Sequence, residues 1–330
     1  MKVLKGGNGR MELVAGAGGF IGGHLVNHLI SQGLEVKAID VKPMGDWYQV
    51  NPGALNQSKD LKLKEHCDVV TRGVSRVWNL AADMGGMGFI ANHKAACMMS
   101  VLINTNLLDA AKNSGVENFF FSSSACVYPD YRQEKASVIP LKESDAYPAQ
   151  PEDGYGWEKL FSERMCRHYL EDYGLRTYIG RFHNVYGPFG TFDGGREKAP
   201  AAICRKVAKA KLIGNKEIEI WGDGEQTRSF MYIEDCIKGT TDLADSTFHE
   251  PLNIGSAEVV AINQLVSIVE EIAGIKVKRK YDLSAPQGVR GRSSDNTLFR
   301  SMFGWEPSTS LQKGLEITYE WIYNQLTKAN

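Results

Sequence analysis

The chain has 330 residues, and 38 lysines and arginines against 39 aspartates and glutamates give it a formal net charge of −1. This balance argues against a nucleic-acid partner, because such proteins carry excess basic charge to neutralise phosphates. Hydrophobic residues make up 43% and charged residues 23%, which excludes disordered and collagen-like chains. We therefore expect a compact globular protein with a small-molecule partner.

The cysteine pattern and the first residues bear on the compartment. Six cysteines are scattered without a CxxC pair, which argues against a zinc site and against a disulfide framework. Residues 1–10 lack the apolar segment of a signal peptide, and no apolar run reaches the roughly 18 residues that span a membrane. The sequence therefore predicts a cytoplasmic protein with no membrane partner.

Short β-rich segments alternate with helical patterns along the first half of the chain. Strands joined by helices of about ten residues or more need crossover connections, which build parallel sheets. The predicted fold class is therefore α/β, with a Rossmann-type doubly wound parallel sheet. In chain order the predicted elements cover residues 11–15, 20–31, 35–40, 76–82, 92–113, 117–123, 154–173, 176–182, 199–211 and 311–326.

A glycine pattern follows the first predicted strand. Gly16, Gly19 and Gly22 open the next helix, and Asp40 ends the second strand. Such glycines let the backbone approach a pyrophosphate, the helix N-terminus attracts its charge, and the acid accepts hydrogen bonds from a ribose. A strand–helix turn without a ligand is the alternative. Because Asp40 would repel the 2′-phosphate of NADP, we predict NAD as the cofactor, with Asp60 near its adenine.

Tyr155 and Lys159 are spaced four residues apart, so a helix places them on one face. The tyrosine pKa is normally near 10, but a lysine ammonium and a nicotinamide ring nearby favour the phenolate, which can take a hydroxyl proton. Ser124 follows a predicted strand at the edge where open α/β sheets bind ligands. An exposed tyrosine beside a solvated lysine is the alternative interpretation.

These motifs carry a family resemblance. The glycine pattern, Leu80-Ala-Ala82, Ser122-Ser-Ser124 and Tyr155-x-x-x-Lys159 resemble the extended short-chain dehydrogenase/reductase superfamily. Within it the chain resembles the GDP-mannose 3,5-epimerases over nearly its whole length. The resemblance implies an NAD-dependent isomerase that forms a homodimer and converts GDP-mannose to GDP-L-galactose, GDP-L-gulose or both. The segments that carry the closer resemblance cover residues 82–90, 124–126, 180–190, 194–200, 221–230 and 289–292.

The chemistry of that family requires two further acid/base groups. Oxidation of carbon 4 of the sugar to a ketone acidifies the hydrogens on carbons 3 and 5. Inversion then needs one group to remove a proton and another to deliver one to the opposite face. The resemblance assigns these roles to Cys126 and Lys198. The alternatives are a small buried hydrophobic cysteine and a solvated loop lysine.

The resemblance also implies the binding residues. Lys206, Arg228 and Arg292 are expected at the diphosphate, since the planar fork of arginine suits phosphate oxygens. No metal is expected, because His24 and His28 have no third ligand nearby. The predicted cofactor-binding residues are Gly16, Gly19, Phe20, Ile21, Gly22, Asp40, Asp60, Leu80, Ala82, Tyr155 and Lys159. The predicted substrate-binding residues are Gly85, Ser124, Ala125, Cys126, Asn184, Glu197, Lys198, Ala199, Lys206, Gln226, Thr227, Arg228 and Arg292.

The predicted domain organisation follows from the motifs and the resemblance. Residues 1–185 are expected to form the NAD-binding Rossmann domain, and residues 228–254 are expected to return to it. Residues 186–227 and 255–330 are expected to form a smaller C-terminal lobe that binds the nucleotide sugar.

Three other functions stay open from the sequence. A nucleotide-sugar 4,6-dehydratase needs a carboxyl group after the serine, where this chain has Ala125 and Cys126. A 4-epimerase reduces its ketone from the other face and needs no second acid/base pair. A non-catalytic dinucleotide sensor is compatible with the fold but gives no reason for Ser124, Tyr155 and Lys159 at reactive spacing.

Overall fold

A computed structural model describes residues 11–328 of the chain, so the predictions for residues 1–10 lie outside the described part. The strands are β1 Met11–Ala15, β2 Glu35–Asp40, β3 Leu55–Ser58, β4 Val74–Asn79, β5 Asn118–Ser124, β6 Arg176–Phe182, β7 Val185–Tyr186, β8 Glu217–Trp221, β9 Thr227–Ser229, β10 Met231–Tyr232, β11 Leu252–Ile254, β12 Val259–Ala261, β13 Lys278–Asp282 and β14 Gly291–Arg292. The helices are α1 Phe20–Ser31, α2 Lys64–Val70, α3 Met87–Ile90, α4 Lys94–Met98, α5 Val101–Asn113, α6 Tyr155–Tyr173, α7 Ala199–Ile213, α8 Ile233–Ala244, α9 Ile262–Ala273, α10 Thr297–Phe303 and α11 Leu311–Lys328.

Seven parallel strands form the central sheet, in the order β11-β6-β5-β4-β1-β2-β3. Helices cover both faces, so the middle of a central strand can be apolar on both sides; Phe119, Phe120 and Phe121 of β5 are all buried. The chain reverses its direction across the sheet between β1 and β4, where open α/β sheets form a ligand crevice. The prediction of a Rossmann-type doubly wound sheet is confirmed.

The predicted elements agree with the structure except where tertiary contacts intervene. β1, α1, β2 and β6 have the predicted bounds. The single helix predicted over residues 92–113 is wrong, because the chain forms α4 and α5 with a turn between them. In that turn the buried Ser100 hydroxyl accepts a hydrogen bond from the Asp83 backbone N–H at 2.9 Å. This contact ties the turn to the loop that follows β4.

The segments predicted to form the C-terminal lobe contain several helices and small sheets. α7, α9 and α11 pack against one another, β8 pairs with β13, and β9 lies between β12 and β14. One apolar core includes residues of these helices and of α1. β11, from the segment predicted to return, is hydrogen-bonded to β6 in the main sheet. The lobe boundaries proposed from the sequence stay a prediction.

Two further observations bear on the environment of the protein. All six cysteines are buried and free. Among residues 11–328, the helices are too short or too polar for any of them to cross a membrane.

Candidate active site

The glycine loop brings the start of α1 close to the end of β1. A Cβ atom on Gly22 would lie 2.1 Å from the Gly16 carbonyl oxygen, and one on Gly16 would lie 2.8 Å from the Leu80 carbonyl carbon. Gly16 also has φ +86°, a conformation that favours glycine. Gly19 caps α1 without a side-chain hydrogen bond. The N–H groups of Phe20, Ile21 and Gly22 therefore suit an anion such as a pyrophosphate.

Asp40 lies at the edge of this loop. Its Oδ2 accepts a hydrogen bond from the Gly18 N–H and its Oδ1 accepts one from the Lys42 N–H, each at 3.0 Å. Each carboxylate oxygen keeps a second lone pair, which suits the hydroxyls of a ribose. The Asp60 Oδ1 accepts the Lys62 N–H at 2.9 Å in a turn before α2, and its place near an adenine stays a prediction. These residues fit NAD, as predicted.

Ser124, Tyr155 and Lys159 meet at the carboxyl end of the sheet. Ser124 ends β5, and Tyr155 is the first residue of α6. The Lys159 Nζ lies 5.5 Å from the centroid of the Tyr155 ring. Burial, with Cys126 next in size, raises the pKa of Tyr155 well above 10, while its hydrogen bond with Ser124 lowers it. A positive charge brought to this site would therefore favour the phenolate.

Lys159 has a buried ionic partner that the sequence analysis missed. Its Nζ lies 3.6 Å from the Glu158 Oε2, and both side chains are almost completely buried. Burying an ammonium is costly unless an opposite charge accompanies it. Ser162 donates a hydrogen bond to the other Glu158 oxygen at 3.1 Å. Glu158 therefore holds the Lys159 ammonium in place beside Tyr155.

Cys126 lies in the turn after β5, where its N–H donates to the Ser124 Oγ at 3.2 Å. The Arg292 Nη1 lies 3.6 Å from the Cys126 Sγ, and the Arg292 Nη2 lies 3.5 Å from the Glu152 Oε2. Burial and the neighbouring Glu152 raise the pKa of Cys126 to about 11, whereas Arg292 lowers it. Glu152 was not among the predicted site residues.

Lys198 caps the N-terminus of α7 and is half-buried. Burial lowers the pKa of Lys198, and the Cys126 sulfur acts in the opposite direction, so the two predicted acid/base groups interact through space. The Gly86 N–H donates to the Arg196 carbonyl at 3.0 Å, and a Cβ on Gly86 would lie 2.4 Å from the Glu197 carbonyl oxygen. The loop of the buried Gly85 and that of Lys198 therefore pack together.

Glu197 and Asn184, two other predicted substrate residues, form hydrogen bonds within the protein that stabilise loops of the site. The Glu197 Oε1 accepts a hydrogen bond from Arg205 and its Oε2 accepts the Gly195 N–H, both at 2.7 Å. Asn184, with φ +39°, donates from its Nδ2 to the Ser229 carbonyl at 3.1 Å. These contacts shape the loop between β7 and α7. Of the predicted alanines, Ala82 follows β4, Ala125 follows β5 and Ala199 begins α7.

The residues predicted at a diphosphate lie in two places. Arg228 donates to the carbonyls of Thr227 and Val289, and among residues 11–328 no carboxylate forms an ion pair with it. Burial, with Arg292 next, lowers the pKa of Arg228 to about 10, so the two guanidinium groups lie within electrostatic range. The Lys206 Nζ donates to the Glu219 carbonyl at 2.7 Å. The contacts do not join Lys206 directly to either arginine.

Gln226 presents an unused acceptor beside Arg228. Its Nε2 donates to the Trp221 carbonyl at 2.9 Å, but within residues 11–328 its buried Oε1 has no hydrogen-bond partner. A buried polar atom of this kind suits a ligand N–H or O–H group.

His24 contacts the loop after β7. Its Nε2 lies 3.0 Å from the Pro188 carbonyl oxygen, and its ring packs edge-on against Phe20. Within the described range 11–328, no three His, Cys, Asp or Glu side chains are grouped in a way that would hold a metal ion.

Comparisons with known proteins agree with this geometry. Residues 12–255, from β1 to β11, match the NAD dependent epimerase/dehydratase family. The GDP-mannose 3,5-epimerase 1 of Oryza sativa subsp. japonica is 46% identical over 316 residues, which cover 96% of this chain and 82% of that protein. A UDP-glucose 4-epimerase of Thermotoga maritima, solved with UDP-glucose, is 27% identical, with a TM-score of 0.86 over 96% of this chain and 99% of that one. MoeE5, solved with UDP-glucose and NAD, is 28% identical, with a TM-score of 0.79 over 96% and 99% of the two chains.

Proposed function

The chain belongs to the NAD dependent epimerase/dehydratase family, and from this premise we propose that it inverts GDP-D-mannose at carbons 3 and 5. The products are GDP-L-galactose, GDP-L-gulose or both. The observation that carries the proposal is that Cys126 and Lys198 lie within electrostatic range of each other, at a site that already contains Tyr155. Two acid/base groups in addition to the tyrosine are what a double inversion requires.

Tyr155 removes the hydroxyl proton at carbon 4. The glycine loop and Asp40 would hold NAD, which when bound would supply the hydride acceptor for this carbon and return the hydride after the inversions. Tyr155 then gives its proton back to the oxygen at carbon 4, so the ketone is reduced again. The Lys159 ammonium and the Ser124 hydroxyl stabilise the phenolate, which offsets the burial that raises the pKa of Tyr155. We propose that the Ser124 hydroxyl also hydrogen-bonds the reacting oxygen at carbon 4.

Cys126 and Lys198 then act on the carbons beside the ketone. One removes a proton from one face of the sugar, and the other delivers a proton to the opposite face. Arg292 lies 3.6 Å from the Cys126 sulfur and stabilises the thiolate that forms when Cys126 loses its proton. We propose that Arg228 and Lys206 bind the diphosphate. In the described part of the chain Arg228 has no carboxylate partner, and Lys206 donates to a backbone carbonyl.

The proposal is tested by incubating the purified protein with GDP-mannose and NAD in deuterated water. Mass spectrometry and NMR should show L-configured products with deuterium at carbons 3 and 5. Label at carbon 5 alone would support a single inversion. An unchanged sugar would contradict GDP-mannose as the substrate.

A UDP-glucose 4-epimerase function is the second candidate, favoured by the fold similarity to the Thermotoga maritima enzyme. Such an enzyme changes the configuration at carbon 4 without exchanging carbon-bound hydrogen with water. The same experiment with UDP-glucose would then give UDP-galactose without deuterium.

The protein is proposed to act as a homodimer in the cytoplasm. Leu102 of α5 and Trp157 and Phe161 of α6 are exposed apolar side chains on two helices that pack together. A patch of this kind is typical of a protein interface, and a twofold dimer would cover it. The six free cysteines are consistent with a reducing compartment.

A further inference from the structure

Glu152 lies between Cys126 and a surface cavity. The cavity has a volume of about 420 Å³, and its lining includes the carboxylates of Asp130, Glu134, Glu152 and Asp153. The Glu152 N–H donates to the Cys126 carbonyl at 2.9 Å, which fixes the two residues against each other. The Glu152 carboxylate also interacts with the Cys126 thiol, so this side chain both contacts the thiol and lines the cavity.

The Glu152 carboxylate is incompletely satisfied by the protein. Its buried Oε2 has no hydrogen-bond partner among the described residues, and Arg292 approaches it only to 3.5 Å. The same guanidinium contacts the Cys126 sulfur. One cation thus lies against both groups, so a negative charge on either is stabilised while a proton passes between them.

During an inversion the two acid/base groups lie on opposite faces of the bound sugar, so the sugar separates them and they cannot return protons directly to each other. When one group has taken a proton and the other has given one, both are in the opposite protonation state. Each must exchange a proton with another group before the next cycle. Lys198 is half-buried, but Cys126 is only 8% exposed, and a bound sugar would cover it further.

We propose that Glu152 carries the proton between Cys126 and the water of the cavity. This inference rests on the proposed function, since it gives Cys126 a proton to exchange. In one direction the S–H bond of Cys126 breaks as an O–H bond forms on Glu152, which then releases the proton to water. The return path reverses these steps. Glu152 acts on the sugar only through Cys126, because its role is to accept the thiol proton and to return it.

The charged groups around Cys126 predict in which direction the pKa of Cys126 moves when Glu152 is replaced. Glu152 contributes a negative charge, Arg292 and Lys198 contribute positive charges, and the Tyr155 hydroxyl and the Asp130 carboxylate lie farther along the same site. Replacing Glu152 by glutamine removes the negative charge and keeps the shape. The thiolate of Cys126 should then form at lower pH, although its route to water is lost.

The first experiment measures the ionisation of Cys126 without substrate. The rate of iodoacetamide alkylation is followed from pH 6 to 10 by mass spectrometry of the peptide that contains Cys126. In Glu152→Gln the profile should move to lower pH, and the rate at pH 8 should rise roughly tenfold. Glu134→Gln, which removes a carboxylate from the same cavity, should match the wild type. Alkylation of the other buried cysteines would reveal general loosening, and an unmoved profile would overturn the proposal.

The second experiment measures turnover of GDP-mannose in water and in deuterated water. Glu152→Gln should lower kcat by about tenfold or more and increase the solvent isotope effect on kcat, because proton return to Cys126 becomes limiting. Glu152→Asp, which keeps a carboxylate, should recover part of the rate. A Glu152→Gln enzyme with wild-type kcat and isotope effect would overturn the relay.

The two measurements separate the relay from the proposed function. If the wild type leaves GDP-mannose unchanged, the proposed function fails, yet the alkylation profiles still test the Glu152–Cys126 pair. If the wild type is active and either measurement fails to respond to Glu152→Gln, the relay alone fails. Should Glu152→Gln not fold, Glu152→Asp and Glu134→Gln provide the comparison, with only Glu152→Asp expected to alter the Cys126 profile.

Discussion

Tyr155 combines two conditions that oppose each other. Its burial favours the neutral phenol, whereas the proposed reaction needs the phenolate beside Lys159. Bound NAD adds positive charge at the site, so the phenolate should form more readily in the holoenzyme than in the free chain. The reactive form of this residue is therefore expected only when the cofactor is present.

Tyr155→Phe removes this proton acceptor while keeping the ring and its packing. We expect kcat for GDP-mannose to fall about 10²–10⁴-fold, the usual contribution of a general acid/base group, with NAD binding retained. Steady-state kinetics and a fluorescence titration with NAD would measure the two effects. Tyr147→Phe, at an exposed tyrosine, is the control and should keep wild-type kcat. A fully active Tyr155→Phe enzyme would rule out the proposed role.

Cys126→Ala tests the inversion step separately. We expect oxidation of carbon 4 to persist, seen as transient absorbance at 340 nm from the reduced cofactor, while deuterium uptake and L-configured products are lost. Cys97 is buried in the same apolar cluster and has no assigned role, so Cys97→Ala serves as the matched control. Unimpaired deuterium uptake in Cys126→Ala would remove this residue from the mechanism.

At the scale of elements, the start of α1 depends on close backbone packing. Gly22→Ala would place a Cβ 2.1 Å from the Gly16 carbonyl oxygen and push the helix away from the loop. We expect NAD affinity to fall about tenfold or more, because the pyrophosphate would lose its contacts with the helix N-terminus. Calorimetric titration with NAD would measure this loss.

Gly45→Ala is the control for that substitution, because no atom of the described residues lies within 4 Å of the added Cβ and the residue has no positive φ. It should bind NAD like the wild type. Equal affinity in Gly22→Ala would show that the loop tolerates the displaced helix.

The division of residues 92–113 into α4 and α5 shows where local patterns mislead. The apolar spacing favours one helix, but Ser100 bonds to the Asp83 backbone and the chain turns there. A hydrogen bond to a loop 17 residues earlier leaves no trace in helical periodicity. The position of the turn between α4 and α5 therefore depends on where β4 and the loop after it lie in the fold.

At the scale of the whole molecule, the exposed apolar patch on α5 and α6 supports the proposed dimer. Phe161→Glu places a charge at a side chain that is 54% exposed in the single chain. If two copies meet here, burying that charge would weaken the dimer and yield a monomer by light scattering. Leu283→Glu, at an apolar residue 69% exposed in the C-terminal lobe, should leave the mass unchanged. A wild-type chain that is already monomeric would contradict the dimer.

The sequence by itself determined the sheet class, the dinucleotide loop and the types of residue at the site. These features depend on local rules, because glycine spacing, a strand's hydrophobic run and a four-residue helical repeat are all written within short segments. Thus the bounds of β1, α1, β2 and β6 were predictable, and so was the place of Tyr155 and Lys159 on one helix. The family resemblance supplied Cys126 and Lys198 as candidates.

Only the tertiary structure decided which side chains surround the candidates. Arg292 is 166 residues from Cys126 in the chain, yet the two side chains are in contact. The sequence does not single out Glu152, because an acidic residue before a helix has no distinctive pattern. Its hydrogen bond to the Cys126 carbonyl and its Oε2, which has no partner among the described residues, both depend on the tertiary fold. Contacts of this kind depend on how the crossover connections and the C-terminal lobe pack onto the sheet, and short-range patterns do not encode that packing.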